Sequence, residues 1–360
     1  MSASHLVADI SGHGFGHVAM TAPVLNAVGA ARPDVRLTIR SSAPERVLRE
    51  HVQVPFELVS STSDFGMFMR GALEVDADAS YRKYSELHSR WDAAVGAGAE
   101  SLEALAPTLL LANVPYLSLA AASRANVPAI ALCCLNWADI FEHYCSDGRE
   151  SQAIAVQMRD AYRSADVFLA PEPAMLMPGL PNLIRIGPIA RLGRRRADEI
   201  RRALQLDETI ALALLSLGGV PFRIDVATWP RLQGWHVLAA MEVAGAHPDV
   251  SAADALPMPH IDLLASCDAL VTKPGYGTTA EAGVNGVPML YVSRDGWPEE
   301  STLVAWLERV GRCAALPAAA LREGSFLFAL ERVRENQTPA PVPPTPDGIE
   351  AAAALLIDRL

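Results

Sequence analysis

Short apolar runs alternate along the chain with longer stretches of helical spacing. Residues 6–10 predict a first strand, which ends in the glycine-rich segment 11–17. Residues 18–31 then carry apolar positions three and four apart, as a helix requires. Residues 35–39 predict a second strand and 44–51 a short helix. One long helix is predicted over 81–105, stopped by Pro107. Residues 109–112 and 129–133 predict strands with a helix over 117–125 between them, and 166–169 predict one more strand. Strands separated by helices imply right-handed crossovers and a parallel sheet.

Pro171, Pro173, Pro178, Gly179 and Pro181 then interrupt the pattern. Such a segment continues neither a helix nor a strand, so 171–193 is expected to link two domains. The basic triplet Arg194–Arg195–Arg196 that follows reads either as a solvated helix start or as a binding patch. A second alternating series begins with a strand at 210–215, ending at Gly218-Gly219. Strands at 237–240, 269–272 and 288–292 and helices at 261–266, 278–285 and 299–310 complete it. Residues 338–346 form a proline-rich tether, and Asp347 is placed to cap a last helix over 348–360. The expected domains are therefore 1–170 and 194–337, with 338–360 as tether and terminal helix.

Composition agrees with this layout. A chain of 360 residues suits two domains of ~150–200 residues each. Apolar residues at 51% and charged residues at 20% provide two packed cores and exclude a disordered chain. A net charge of −11 lacks the basic footprint of non-specific nucleic-acid binding. No run of ~18 apolar residues predicts a membrane span, which leaves peripheral membrane contact open. Cys133, Cys134, Cys145, Cys267 and Cys313 form no C-x-x-C pair, so neither a disulfide framework nor a metal site is expected. Residues 1–6 lack the basic flank and apolar stretch of a secretory signal. A reducing cytoplasm is the expected location.

Several segments could carry chemistry. Gly12-His13-Gly14-Phe15-Gly16-His17 follows the first strand and opens a helix. Glycine at every second position lets the backbone turn tightly and approach a ligand, and the helix start favours negative charge. The spacing is not that of the dinucleotide fingerprint, and no acidic residue stands where the ribose partner belongs. His13 and His17 either bond backbone groups or, in the case of His17, act as a general base. Thr272-Lys273-Pro274-Gly275-Tyr276-Gly277-Thr278-Thr279-Ala280-Glu281 takes a strand end through a glycine turn into a second helix start. Its amides and hydroxyls could hold a diphosphate and Glu281 a ribose diol; alternatively Thr278 and Glu281 form a capping box. Gly218 and Gly219 offer small residues at another strand end. Asn136 and Trp137, in the segment 136–144, either hold a sugar or begin a packed helix. In the segment 294–300, Pro298, Glu299 and Glu300 also suit a first helical turn. Asp76-Ala77-Asp78 has the D-x-D spacing of metal-dependent sugar transferases but lacks the strand-and-turn context, and reads as chance.

With these residues laid out, the chain resembles the two-domain GT-B glycosyltransferases over roughly residues 5–335. The segment 267–275, running into Thr278 and Glu281 and then Gly286-Val287-Pro288, is similar to the donor-site signature of the family that includes MurG-type enzymes. The segments 12–17, 136–144 and 294–300 together resemble the glycosyltransferase-like region that precedes the kinase of L-arabinokinases. The resemblance implies an α/β fold of two Rossmann-like domains facing a cleft, and inverting transfer from a nucleoside diphosphate sugar to an acceptor hydroxyl. It further implies a UDP-sugar as substrate, with no permanently bound cofactor or metal. His17 would be the catalytic base, with His13 beside it. Gly218, Gly219, Lys273, Gly275, Gly277, Thr278, Thr279, Glu281, Glu299 and Glu300 would bind the donor, with residues 258–260 near its base. Gly14, Phe15, Gly16, Asn136 and Trp137 would face the acceptor. Two positions depart from the family pattern. Met20 stands where a basic residue is frequent, and Asn113 where the arabinokinase-like region usually has an acidic one. A non-catalytic nucleotide-sugar binder and a hydrolase or epimerase of the same fold remain alternative readings.

Overall fold

The computed structural model describes residues 4–61, 64–70, 74–217, 224–294, 296–335 and 342–360. The chain divides into two units. One runs to Ile189 and resumes from Asp347 to Leu360; the other runs from Ala190 to Pro346.

The first unit begins with β1 (His5–Ile10), α1 (Gly16–Ala31), β2 (Arg36–Ser41), α2 (Glu45–His51) and β3 (Glu57–Ser60). It continues with α3 (Ala77–His88), α4 (Trp91–Leu105), β4 (Leu109–Asn113), α5 (Tyr116–Arg124), β5 (Ala129–Leu132), α6 (Trp137–Cys145), α7 (Arg149–Arg163), β6 (Val167–Pro171) and β7 (Leu183–Ile186). The strands form one parallel sheet in the order β3-β2-β1-β4-β5-β6-β7. Every residue of β1, β4 and β5 is buried, as expected of strands covered on both faces. Polar residues on such strands need partners. Asp9 of β1 receives both forks of Arg40 from β2, and the pair is almost fully buried.

The second unit holds α8 (Ala197–Leu204), β8 (Ala211–Ser216), β9 (Trp235–Ala239), β10 (Val250–Ala252), α9 (His260–Ser266), β11 (Ala269–Thr272), α10 (Tyr276–Asn285), β12 (Met289–Tyr291), α11 (Pro298–Val310), β13 (Cys313–Ala315), α12 (Ala318–Glu323) and α13 (Leu327–Glu335). Its parallel sheet has the order β10-β9-β8-β11-β12-β13. The period of two along β8 divides its core. Ala211, Ala213 and Leu215 pack with Trp229, Trp235 and Phe326 on one face; Leu212 and Leu214 pack with Ile200, Leu264 and Trp306 on the other. The last helix, α14 (Gly348–Asp358), returns to the first unit and packs on α1. The close approach at its start needs glycine, because a Cβ on Gly348 would lie 2.1 Å from the Gly187 carbonyl oxygen.

Two expectations change. The helix expected over 81–105 is two helices, α3 and α4, broken at Ser89 and Arg90. Apolar spacing continues through the break, and neither glycine nor proline marks it. The pivot is instead an aromatic stack, with His88 and Trp91 parallel at 5.0 Å on either side. Within the segment 171–193, expected as a link, β7 adds a seventh strand to the first sheet. Asp76 of the D-x-D spacing, read as chance, has a structural use: it caps α3 by accepting a hydrogen bond from the Ala79 amide at 3.0 Å.

The Asp9–Arg40 pair yields a stability prediction. Asp9→Ala leaves a guanidinium buried without its partner and should cost about 3–5 kcal/mol, whereas replacing both residues by apolar ones should cost far less. Urea denaturation of the two variants measures the difference.

Candidate functional site

The order of the first sheet reverses at β1, which lies between β2 and β4. Loops leaving β1 and β4 at their carboxyl ends therefore part to opposite faces and open a crevice there. Ile10 pairs with Asn113 across these strand ends, so the glycine-rich loop after β1 starts beside Asn113. Gly14 has φ +74°, and a Cβ at Gly14 or Gly16 would meet nothing within 4 Å. Phe15 is exposed, and α1 starts without a side-chain cap. Second in α1, His17 turns its imidazole inward and is 8% exposed.

A closed set of hydrogen bonds assigns the tautomer of His17. The Thr21 hydroxyl donates to the His17 carbonyl at 2.8 Å. It then accepts from the Asn113 Nδ2 at 2.8 Å. The amide oxygen is thereby turned to His17 Nδ1, 2.8 Å away, which must donate. Nε2 is left as the lone-pair nitrogen of the neutral ring, the form a general base needs. Cys133, just beyond β5, brings its Sγ to 3.9 Å from the same Nδ1. Burial opposes the charged imidazolium. The neighbouring Cys133, Asn113 and Asp64 outweigh that penalty and raise the His17 pKa to about 9. Burial likewise opposes the thiolate, but Cys134 and His17 overcome it and hold Cys133 below the usual thiol range.

Asp64 and Gly66 belong to this site and were not singled out by the sequence. Trp137 Nε1 donates to Asp64 Oδ2 at 2.7 Å, and the Gly66 amide donates to Oδ1 at 2.7 Å. The Tyr84 hydroxyl donates to the Gly66 carbonyl at 3.0 Å. Gly66 has φ +57°, and a Cβ there would lie 2.5 Å from the His13 ring, so only glycine lets this loop close over His13. Trp137 is fully buried, edge-on to His13 at 5.1 Å and tilted against His17 at 5.8 Å. Asn136 caps α6, accepting from the Asp139 amide at 2.9 Å and donating to its carboxylate at 2.8 Å. The two residues thus brace the histidines through packing and capping.

The second sheet repeats the reversal, with β8 between β9 and β11. Gly218 and Gly219, after β8, lie outside the described residues. After β11, α10 begins at Tyr276 with Gly275 as its uncapped N-cap, two residues before the start expected from Thr278. Thr278 and Thr279 therefore lie within the first turn, so the capping box does not form. The Thr279 hydroxyl is buried without a hydrogen-bond partner. A Cβ at Gly275 or Gly277 would meet nothing within 4 Å, so the backbone of this turn borders open space. Burial and the charge of Arg294 lower the Lys273 pKa to about 8. Glu281 pairs with Arg191 at 2.8 Å. His260, at the start of α9, is held below the usual imidazole value by burial and feels the charges of Glu281 and Arg191. Glu299 accepts from Trp297 Nε1 at 2.9 Å, and Glu300 from the Arg294 amide at 2.8 Å and from the Ser293 hydroxyl. Both carboxylates thus secure the turn into α11.

This geometry fixes a spectroscopic expectation. In ¹⁵N-histidine NMR, the His17 ring should titrate near pH 9. Above that pH it should show the Nδ1–H tautomer alone. Thr21→Val removes the hydroxyl that orients the amide and should give a mixture of tautomers.

No protein-family model matches the chain. It is 27% identical to L-arabinokinase of Arabidopsis thaliana over an alignment of 321 residues that covers 85% of this chain and 30% of that protein. The chain therefore spans less than a third of the curated relative it matches. Among solved structures it is similar to CalG4, the calicheamicin glycosyltransferase, with a TM-score of 0.66 at 19% identity over 99% of this chain and 97% of that one. SnogD, a glycosyltransferase from Streptomyces nogalater, superposes with a TM-score of 0.55 at 17% identity over 99% of this chain and all of that one. UGT2 of Phytolacca americana, solved with UDP-2-fluoro-glucose and pterostilbene, gives 0.58 at 13% identity over 99% of this chain and 94% of that one. The chain's two parallel α/β sheets and its likeness to these glycosyltransferases over nearly its whole length identify its fold as GT-B.

Proposed function

We propose that the protein is a glycosyltransferase that moves a sugar from a UDP-sugar to an acceptor hydroxyl with inversion. The observation that carries this reading is the buried His17 at the switch point of the first sheet, whose neutral form, populated as pH rises through about 9, has a single assigned tautomer with its lone pair on Nε2. In the proposed reaction Nε2 takes the proton of an acceptor hydroxyl. The hydroxyl oxygen forms a bond to the anomeric carbon as the bond to the diphosphate breaks on the opposite face. The resulting imidazolium keeps its Nδ1 proton on the Asn113 oxygen.

Donor recognition is assigned to the second unit. The open turn Gly275–Gly277, the start of α10 and the Lys273 ammonium supply amides and positive charge to the departing diphosphate. Gly218 and Gly219 are proposed to join them. Glu281, placed between Arg191 and His260, is proposed to receive the ribose hydroxyls. The UDP-bound plant enzyme of the same fold supports uridine as the base. Glu299 and Glu300 are proposed to shape the sugar end of the site from the start of α11. The acceptor is assigned only as a hydroxyl compound bordered by Gly14, Phe15 and Gly16.

A second reading, a non-catalytic nucleotide-sugar binder, is favoured by one observation: the partner of His17 is an amide without charge. Two measurements separate the readings. Calorimetric titration with UDP, GDP and dTDP should show micromolar binding of UDP that Glu281→Ala abolishes. Transfer from a UDP-sugar to a panel of acceptors should fall by about 10²–10⁴ in His17→Ala. Nucleotide binding with no bond cleavage under any acceptor would establish the binder. Free sugar released at the turnover rate without an acceptor would establish a hydrolase.

A further inference from the structure

The residue that orients His17 brings no charge. When Nε2 accepts a proton, the imidazolium forms in a buried site, where an unpaired charge is costly. In the serine protease arrangement one buried carboxylate both fixes the tautomer and stabilises this cation. Here Asn113 can do only the first. We propose that the two tasks are divided: Asn113 orients His17, and Asp64 together with Cys133 supplies the negative charge that stabilises its protonated form. The inference rests on the reading of His17 as the base.

The placement of Asp64 supports the division. Asp64 is 8% exposed, and its carboxylate accepts from the Trp137 indole and the Gly66 amide. Among the described residues, no lysine or arginine pairs with it. Removing a carboxylate from water without a basic partner is unfavourable, and a proton arriving on nearby His17 offsets that cost. Trp137 holds the carboxylate in place and lies against His17 itself. Cys133 approaches from another side, its Sγ 3.9 Å from Nδ1. The remaining ionisable groups around the site do not compete for the role. Burial pushes the Tyr84, Tyr116 and Tyr162 hydroxyls far above their usual range, so they stay neutral. His13, edge-on to Trp137, carries no negative charge. Cys134 enters through its hydrogen bond to Cys133.

Asp64 and Cys133 are therefore positioning residues, and charge must be separated from packing to test them. Asp64→Asn keeps an acceptor oxygen and removes the charge; Cys133→Ala removes the thiol. Histidine NMR of the full-length protein reads the His17 midpoint without requiring turnover. Each substitution should lower that midpoint by about one pH unit, and the double variant should lower it further. Adding Asn113→Asp to the double variant should raise it again. In pH–rate profiles the rising limb should move with the NMR midpoint. Variants that retain the native circular dichroism and the native His17 midpoint would overturn the proposal. So would a uniform loss of rate with no shift. Should Asp64→Asn not fold, Trp137→Phe releases the carboxylate and keeps a ring: a lowered midpoint supports the division, and an unchanged one rejects it. Failure of the base assignment would appear separately, as full transfer activity in His17→Ala.

Discussion

The reversal of strand order at β1 and again at β8 is the constraint from which the remaining features follow. A parallel sheet joined by right-handed crossovers sends its helices to one face or the other according to the direction in which the next strand is added. Where that direction changes, adjacent loops diverge and leave backbone groups without neighbours. In the first unit this happens between β1 and β4, the strands that present the glycine loop and Asn113. In the second it happens between β8 and β11, where Val271 and Thr272 pair with Leu215 and Ser216 just before the segment beginning at Lys273. The chemistry-bearing residues are held by rigid strand ends, and their loops need only be small.

Placing a histidine at such a point raises an electrostatic difficulty. The strand ends are dry, since Asn113 and Cys133 are wholly buried, and a dry site resists ionisation. The protein answers with hydrogen bonds of defined polarity and with anions at short range. Thr21 has a larger part than its size suggests: its hydroxyl turns a symmetric-looking amide into a directed one. The same economy appears at Glu299 and Glu300, whose carboxylates hold Trp297, Ser293 and the Arg294 amide.

Much of this was legible in the residues. Strand and helix periodicity revealed two alternating series, and the glycines at 12, 14 and 16 marked the backbone approach that β1 delivers. His17 stood out because two histidines in one glycine-rich loop are unusual and an imidazole titrates near neutral pH. The segment from Lys273 to Glu281 was legible as a strand–turn–helix, although its helix starts earlier than its threonines suggested. Asp64 was not visible, because its partner Trp137 lies 73 positions away and the two meet only through tertiary packing. Gly66 sat within an apolar cluster, and its backbone angle is imposed by His13, which no local pattern encodes. Strand β7 was missed because it is short and edge-placed, with Ile184 half in water, so it lacks the apolar run of a buried strand. The break at Ser89 and Arg90 was missed because its cause is a ring stack formed with a distant helix.

The return of α14 to the first unit bears on how the molecule is made. Its helix covers α1, the Ser4 hydroxyl donates to the Leu360 carbonyl, and Arg359 pairs with Asp166. The first unit therefore contains residues translated after the whole of the second. On the ribosome, the outer surface of α1 must wait, uncovered, through the synthesis of most of the chain, since α1 ends at Ala31 and α14 begins at Gly348. Its small and apolar side chains are then exposed to any other apolar surface in the cell, and a chaperone that shields that face during elongation would be acting on a need written into the connectivity.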